Sequence, residues 1–426
     1  MPHNKISSFQ GTFLVVVFVY LLSLISPHKV VAQTSQTPSL EHSYHVSLLI
    51  SDGVDDEVYA IYGHAALRLK NVDNPEDDNI YNWGVFDFDA PNFVGKFISG
   101  KTTDYMLACG NASAYIYDYT YSRETNVHEL VLDLTQQEVE KLVLLLQDNL
   151  QPQNIYYHYN FVFDNCATRP FEIIENAIDG KLILPSVEPI TTREMLDKSS
   201  RLRPWLKLGT DLALGSLADQ PTVARDQVFL PEHLKEMLCQ AKVQTSDGSL
   251  HPLVKEQFTY PRQAFTIPPV SKTPLFLRPM TLTIALLLVT LFLAVRNRYL
   301  KKQEDLALKI WSTLCYIGMG IAGGIIYYLS FFSLHPLVYP NWNILVFHPF
   351  YILLLLPCIW ITNKRYSHYT HALNIVAIVV FYILCFCPIQ HFSPVVLLLA
   401  FNALLIATLQ LATHTKKACI KGKQLS

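Results

Sequence analysis

From Leu275 to Thr413 the apolar residues run in five stretches, near 275–296, 306–332, 343–362, 371–390 and 392–413. Each approaches the ~20 residues that carry a helix across ~30 Å of hydrocarbon. The pattern upstream is different. His45–Ile50, His64–Leu69 and Tyr81–Phe88 alternate apolar and polar positions and predict strands, with Val127–Leu134 as another. Ser51–Gly53 and Asp73–Asn79 separate them as turns. Thr135–Leu150 then changes to helical spacing: Thr135 and Glu138 form a capping box, and Val139, Leu142, Val143 and Leu146 share one face. A tyrosine-rich segment, Tyr156–Phe163, leads into Asp164-Asn165-Cys166, after which Phe171–Ile178 and Pro231–Gln240 read as helices. The pattern predicts an α+β domain followed by an all-α membrane domain of about five transmembrane helices.

Charge sharpens that division. Before Ala264 there are 20 basic and 33 acidic residues; after it there are 13 basic residues and only Glu304 and Asp305. Over the 426 residues only 16% are charged, against ~25% in soluble domains. The basic residues sit beside apolar runs rather than on a domain of their own, so no nucleic-acid partner is expected. Arg296, Arg298, Lys301 and Lys302 follow the first span, Lys364 and Arg365 the third, and Lys416, Lys417, Lys421 and Lys423 the fifth. The other two connections carry no Lys or Arg, which places the charged loops in the cytoplasm and the first domain outside. Residues 1–32 agree, reading as a secretory signal with Lys5, the apolar run Thr12–Ile25 and Val30-Val31-Ala32 before a cleavage point. An uncleaved first transmembrane helix is the alternative, and it exports the same domain.

The expected layout is a signal at 1–32, an exported domain at 33–263, a linker at 264–274, the membrane domain at 275–413 and a cytoplasmic tail at 414–426. No span holds an Asp or Glu, which argues against an ion or proton pathway. Gly318, Gly320, Gly323 and Gly324 are small residues of the kind that let helices approach closely. The uncharged outer loop Ser333–Asn343 has two readings. It is an interfacial belt of Trp and Tyr, or His335, Asn341 and Asn343 belong to a site at the membrane surface.

Candidate chemistry centres on a thiol. The chain lacks a phosphate-binding glycine loop, a CxxC pair, an HExxH and a GxSxG elbow. The exported part has three cysteines, Cys109, Cys166 and Cys239, so at least one has no partner within the chain. Cys109 and Cys239 form the one pairing worth weighing. Cys166 precedes a helix whose first turn would hold Pro170 behind a Thr168 cap, where free N–H groups favour a thiolate. A thiol nucleophile needs a base, and His64 opens a strand after Gly63. A third polar group should orient the ring; the next strand offers Asn82, with Asp87 as the lesser choice. Both Cys166 and His64 could equally be ordinary buried residues on this reading alone.

A His at a strand start, a polar residue on the following strand and a later Asn-Cys before a helix resemble the permuted, NlpC-type arrangement of papain-like enzymes. Tyr62-Gly-His-Ala-Ala-Leu-Arg-Leu69, Tyr81-Asn-Trp-Gly84 and Tyr159-Asn-Phe-Val-Phe-Asp-Asn-Cys-Ala-Thr-Arg169 more closely resemble the Lnb-type lipoprotein N-acyltransferases, as does the layout of signal, periplasmic domain and membrane helices. That resemblance implies transfer of a fatty acyl chain from a phospholipid donor, through a Cys166 thioester, to the amine of a diacylated lipoprotein acceptor. It implies residence in the bacterial inner membrane and requires neither metal nor cofactor. His64 would be the base and Asn82 its orienting residue. Tyr62, Tyr159, Asn165, Arg169, His335, Asn341 and Asn343 are the candidates for substrate binding or for the oxyanion. The rival readings are a membrane-anchored NlpC-type cysteine peptidase acting on the cell wall and a non-enzymatic envelope assembly protein.

Overall fold

The computed structural model describes residues 43–54, 60–87, 89–101, 105–263, 273–300, 306–360 and 364–424. The signal expected at 1–32 and most of the linker expected at 264–274 lie outside the described residues. Among those described, the α+β domain carries β1 (Tyr44–Ser51), β2 (His64–Asn71), β3 (Asp78–Val85), β4 (Tyr105–Asn111), β5 (Val127–Leu132), β6 (Tyr156–Tyr157), β7 (Lys181–Ile183), β8 (Lys242–Gln244), β9 (Leu250–Pro252) and β10 (Val254–Tyr260). Seven form an antiparallel sheet in the order β10-β5-β1-β2-β3-β4-β6, and β7-β8-β9 form a small second sheet. Strand alternation places the expected strands correctly, and β2 begins at His64 itself.

One face of the large sheet buries Val46, Leu48, Ile50, Ala65, Leu67, Leu69 and Trp83. Helix α1 (Phe93–Ser99) precedes β4. Helix α2 (Gln136–Asn149) starts at the Thr135–Glu138 capping box, and its Val139, Leu142, Val143 and Leu146 are buried. Burial of side chains this size stabilises by ~1.5–3 kcal/mol each, which outweighs the modest helical propensity of the two valines. Helix α3 (Thr168–Ala177) lies beside α2 and sets Phe171, Ile174 and Ala177 into the same core. Helices α4 (Pro204–Ala213) and α5 (Pro231–Gln240) both begin with proline, which fits a first helical position where no N–H is needed.

Cys109 lies on β4, near one edge of the large sheet, whereas Cys239 lies on α5, which packs against β1 and β10. No disulfide joins them, so the pairing weighed from the sequence does not form. The charge inside the strands has a structural use. Arg68 is buried and bonds Asp78 through two nitrogens at 2.7 and 2.5 Å and Glu129 at 3.0 Å.

In the membrane part the expectation of about five helices resolves, among the described residues, into four long apolar ones and one interrupted passage. The long helices are α6 (Pro279–Leu300), α7 (Leu306–Phe332), α9 (Lys364–Leu384) and α10 (Pro394–Gln424), the last running on through most of the expected tail. Between α7 and α9 the stretch expected to span at 343–362 is a short turn of helix at Trp342–Leu345 and then a short apolar helix, α8 (Tyr351–Trp360). At ~1.5 Å per residue α8 reaches only about half the hydrocarbon thickness. Irregular backbone at that depth must be covered by protein, and glycine provides the cover. A Cβ on Gly323 would lie 2.4 Å from the backbone N of His348, and one on Gly320 would lie 2.5 Å from the Ile352 side chain. Gly318 and Gly324 face no such neighbour, so only half of the glycine cluster serves close packing.

The two parts are joined by the outer loop. Leu334 N–H donates to Ser99 O at 2.8 Å, Gly215 N–H to Leu337 O at 2.7 Å, and Ser216 N–H to Pro340 O at 2.7 Å. The loop therefore rests on the α+β domain, and that domain is held at the outer end of α7.

Candidate functional site

Three backbone features bring the candidate residues together. Gly63 has φ +79°, a left-handed conformation that a side chain disfavours, and a Cβ there would meet Ser51 O at 2.6 Å. This turn starts β2 and sets His64 at its first position. On β3, the register slips between Trp83 and Val85, so Gly84 is the extra residue of a bulge, with φ +91°. The bulge opens space beside Asn82. The third feature is the loop ahead of α3. Asn165, buried, accepts from the N–H groups of Ala167 at 2.8 Å and Thr168 at 3.0 Å, while its amide donates to Phe161 O and Phe229 O. Asn165 therefore does the capping expected of Thr168, whose hydroxyl accepts from Asn165 N–H in return. Cys166 stands immediately before the helix, as the Pro170 argument requires.

The result is a Cys–His–Asn line. Asn82 Oδ1 lies 2.5 Å from His64 Nε2. An amide oxygen only accepts, so Nε2 carries a proton and the other ring nitrogen, Nδ1, is left for the Cys166 sulfur, to which the ring is hydrogen-bonded. Burial opposes charge on both groups. Each nevertheless moves toward its charged form: the Cys166 thiol is held below the ordinary thiol range by the His64 charge and by the N–H groups of Ala65 and Cys166, and His64 is raised above the ordinary imidazole value by the thiolate and Asn82. Both shifts favour a thiolate–imidazolium pair over the neutral one. Tyr119 stacks on the His64 ring at 6.1 Å, interplanar angle 10°. Asp87, the lesser choice for orienting residue, is exposed on its loop and makes no bond to the ring.

The remaining candidates separate. Tyr159 lies close enough to Cys166 for the thiolate to hold its phenol in the protonated form, together with burial, and its ring stacks on Tyr105 at 4.2 Å. Arg169 pairs with Asp164 and sits 4.3 Å over the Tyr157 ring. Tyr62 bonds Thr210 and packs edge-on to Phe161 at 5.1 Å; it has no contact with the sulfur. His335 Nε2 donates to Phe97 O at 2.8 Å, Asn341 to Leu212 O at 2.8 Å and Asn343 to Asp211 O at 3.1 Å. The two asparagines thus satisfy carbonyls at the end of α4, which otherwise have no partner within the helix. All three loop residues act at the domain interface.

One residue escaped the sequence reading. The Tyr157 hydroxyl is buried and has no hydrogen-bond partner among the described residues. A Cβ placed on Gly84 would lie 3.7 Å from Cys166 Cβ and 3.9 Å from that hydroxyl. The absent side chain of Gly84 therefore leaves a gap about one carbon wide with Cys166 on one side and an unused O–H on the other. In the sequence Tyr157 is one of several tyrosines; only its inward position in β6, against the exposed Tyr156, distinguishes it.

This arrangement coincides with two family matches. Residues 38–198 match the Lnb N-terminal periplasmic domain and residues 271–418 the Lnb transmembrane domain, together most of the chain. The chain belongs to the Lnb family. No curated protein and no solved structure matches it. Membership identifies the α+β domain as periplasmic, the helices α6–α10 as a membrane domain, and the protein as one of a family to which enzymatic activity is attributed.

Proposed function

We propose that this Lnb-family protein is a lipoprotein N-acyltransferase, working by two acyl transfers through Cys166. The observation that supports the reading most is the Cys166–His64–Asn82 line in a domain bonded directly to the outer end of a membrane helix. The Cys166 thiolate attacks the ester carbonyl of a phospholipid. The charge that develops on the carbonyl oxygen is met in the gap at Gly84 by the Tyr157 O–H. As the ester C–O bond breaks, imidazolium Nδ1–H protonates the departing lysophospholipid alkoxide, leaving a thioester and a neutral ring. In the second half, the lipoprotein amine attacks the thioester and gives a proton to Nδ1. The C–S bond breaks, the amide forms and the thiolate–imidazolium pair returns. Two half-reactions predict ping-pong kinetics. The phospholipid donor, the diacylated lipoprotein acceptor and the inner membrane as location belong to this proposal.

The test is a reconstituted reaction with the full chain, phospholipid and diacylated lipoprotein, followed by intact mass. The expected result is an acyl adduct on Cys166 that neutral hydroxylamine removes, with Cys166→Ala and Cys166→Ser losing both the adduct and lipoprotein acylation. Acyl transfer that persists in Cys166→Ala would overturn the assignment.

A further inference from the structure

The proposed reaction needs an acyl ester to leave the bilayer plane and reach Cys166, and the fold holds an unassigned apolar surface between the two. Helix α1 exposes Val94, Phe97 and Ile98 at 54%, 48% and 49%. Three exposed apolar side chains on one short helix are unusual for a face in water. The position of α1 says what covers them. Its C-terminal end is bonded to the chain leaving α7: Leu334 N–H donates to Ser99 O and His335 Nε2 to Phe97 O. A Cβ on Gly100 would strike His335 N at 2.8 Å, so the approach is close. The outer end of α7 carries Tyr327, Tyr328, Phe331 and Phe332, all exposed, with Tyr339 packed on Phe331 at 5.5 Å. Aromatic rings of this kind mark the membrane–water boundary. Helix α1 is only ~10 Å long, so its apolar face stays close to that belt.

From α1 a line of rings continues inward. Phe97 lies 6.3 Å from Phe93, Phe93 lies 5.1 Å from Phe86, Phe86 lies 4.8 Å from Tyr105, and Tyr105 lies 4.2 Å from Tyr159, which is the tyrosine beside Cys166. Phe86 and Tyr159 are only partly buried, so this line has an open edge. We infer that α1 is the lipid portal of the enzyme: Val94, Phe97 and Ile98 sit among the acyl chains of the outer leaflet, and the Phe93–Phe86–Tyr105–Tyr159 edge guides one chain to the thiol. The inference rests on the acyltransferase reading and adds to it the route and the leaflet of the donor.

The experiment uses the full chain in phosphatidylethanolamine–phosphatidylglycerol vesicles and compares two donors at Cys166. One is the vesicle phospholipid; the other is water-soluble 4-nitrophenyl butyrate, which needs no route from the bilayer. The readout is the ratio of the two acylation rates. In Val94→Glu/Ile98→Glu the ratio should fall about tenfold or more, because the carboxylates must lose hydration to enter the lipid surface. In Val94→Trp/Ile98→Trp, which suits an interface, it should stay within about threefold of the parent. An unchanged ratio in the Glu variant overturns the portal, as does an equal fall in both variants or a loss with both donors. A parent protein that the butyrate acylates but phospholipid does not would instead refute the acyltransferase reading itself.

Discussion

Replacing Tyr157 by Phe should slow the enzyme and leave it at least as stable. The change removes one oxygen and keeps the ring, so the guanidinium of Arg169 retains its place 4.3 Å above it. The hydroxyl has no partner in the resting protein. A buried O–H without a bond costs ~1–3 kcal/mol, and deleting it should return part of that to the folded state. Burial, with the nearby thiolate, pushes the phenol well above its ordinary value, so it is a donor at every working pH. If its bond is made only to the oxyanion, its loss falls on the transition state, and loss of one such donor lowers kcat by about 10²–10³-fold. Single-turnover acylation of Cys166 by 4-nitrophenyl butyrate measures the first effect, and the thermal inactivation midpoint in detergent measures the second. A rate within about threefold of the parent would show that the hydroxyl takes no part. A clear drop in stability would show that it holds a structural bond, and either result defeats the argument.

Three further expectations follow from the same geometry. The acylation rate should be bell-shaped in pH: its acid limb, where the thiolate is protonated, falls below the ordinary thiol range, and its alkaline limb, where the imidazolium is lost, lies above the ordinary imidazole value. A profile rising through the ordinary thiol range would rule out the ion pair. Asn82→Ala removes an acceptor that favours the imidazolium, so the alkaline limb should move to lower pH while the acid limb moves less; an unshifted limb would show that Asn82 does not set the ring. Arg68→Met leaves buried Asp78 and Glu129 without their cation and should destabilise the domain by ~3–5 kcal/mol. Denaturant titration of the purified protein that finds less than ~1 kcal/mol would mean that the cluster is solvated or otherwise compensated.

What the sequence made legible was local or periodic. The capping box at Thr135, the strand that begins at His64 and the helix that begins at Pro231 each depend on neighbours in the chain, and each is found where the pattern put it. The Cys166, His64 and Asn82 grouping was legible for a different reason: a thiol at a helix start and a His at a strand start both have a local signature, and only their meeting is tertiary. The misses share one cause. Asn341 and Asn343 looked like ligands because they are polar at a membrane surface, but their partners are carbonyls at the end of α4, which lies well over a hundred residues away in the chain. The third span looked continuous because hydropathy counts residues and not hydrogen bonds; its break becomes tolerable only where Gly320 and Gly323 bring α7 against it. Tyr157 and Gly84 together illustrate the limit. Neither has a chemical signature alone, since one is a tyrosine among several and the other a glycine in a strand. Their meaning comes from a bulge that removes a side chain at the point where a thiol and an unused hydroxyl face each other. A gap of this kind consists of missing atoms, and a sequence names only the atoms that are present.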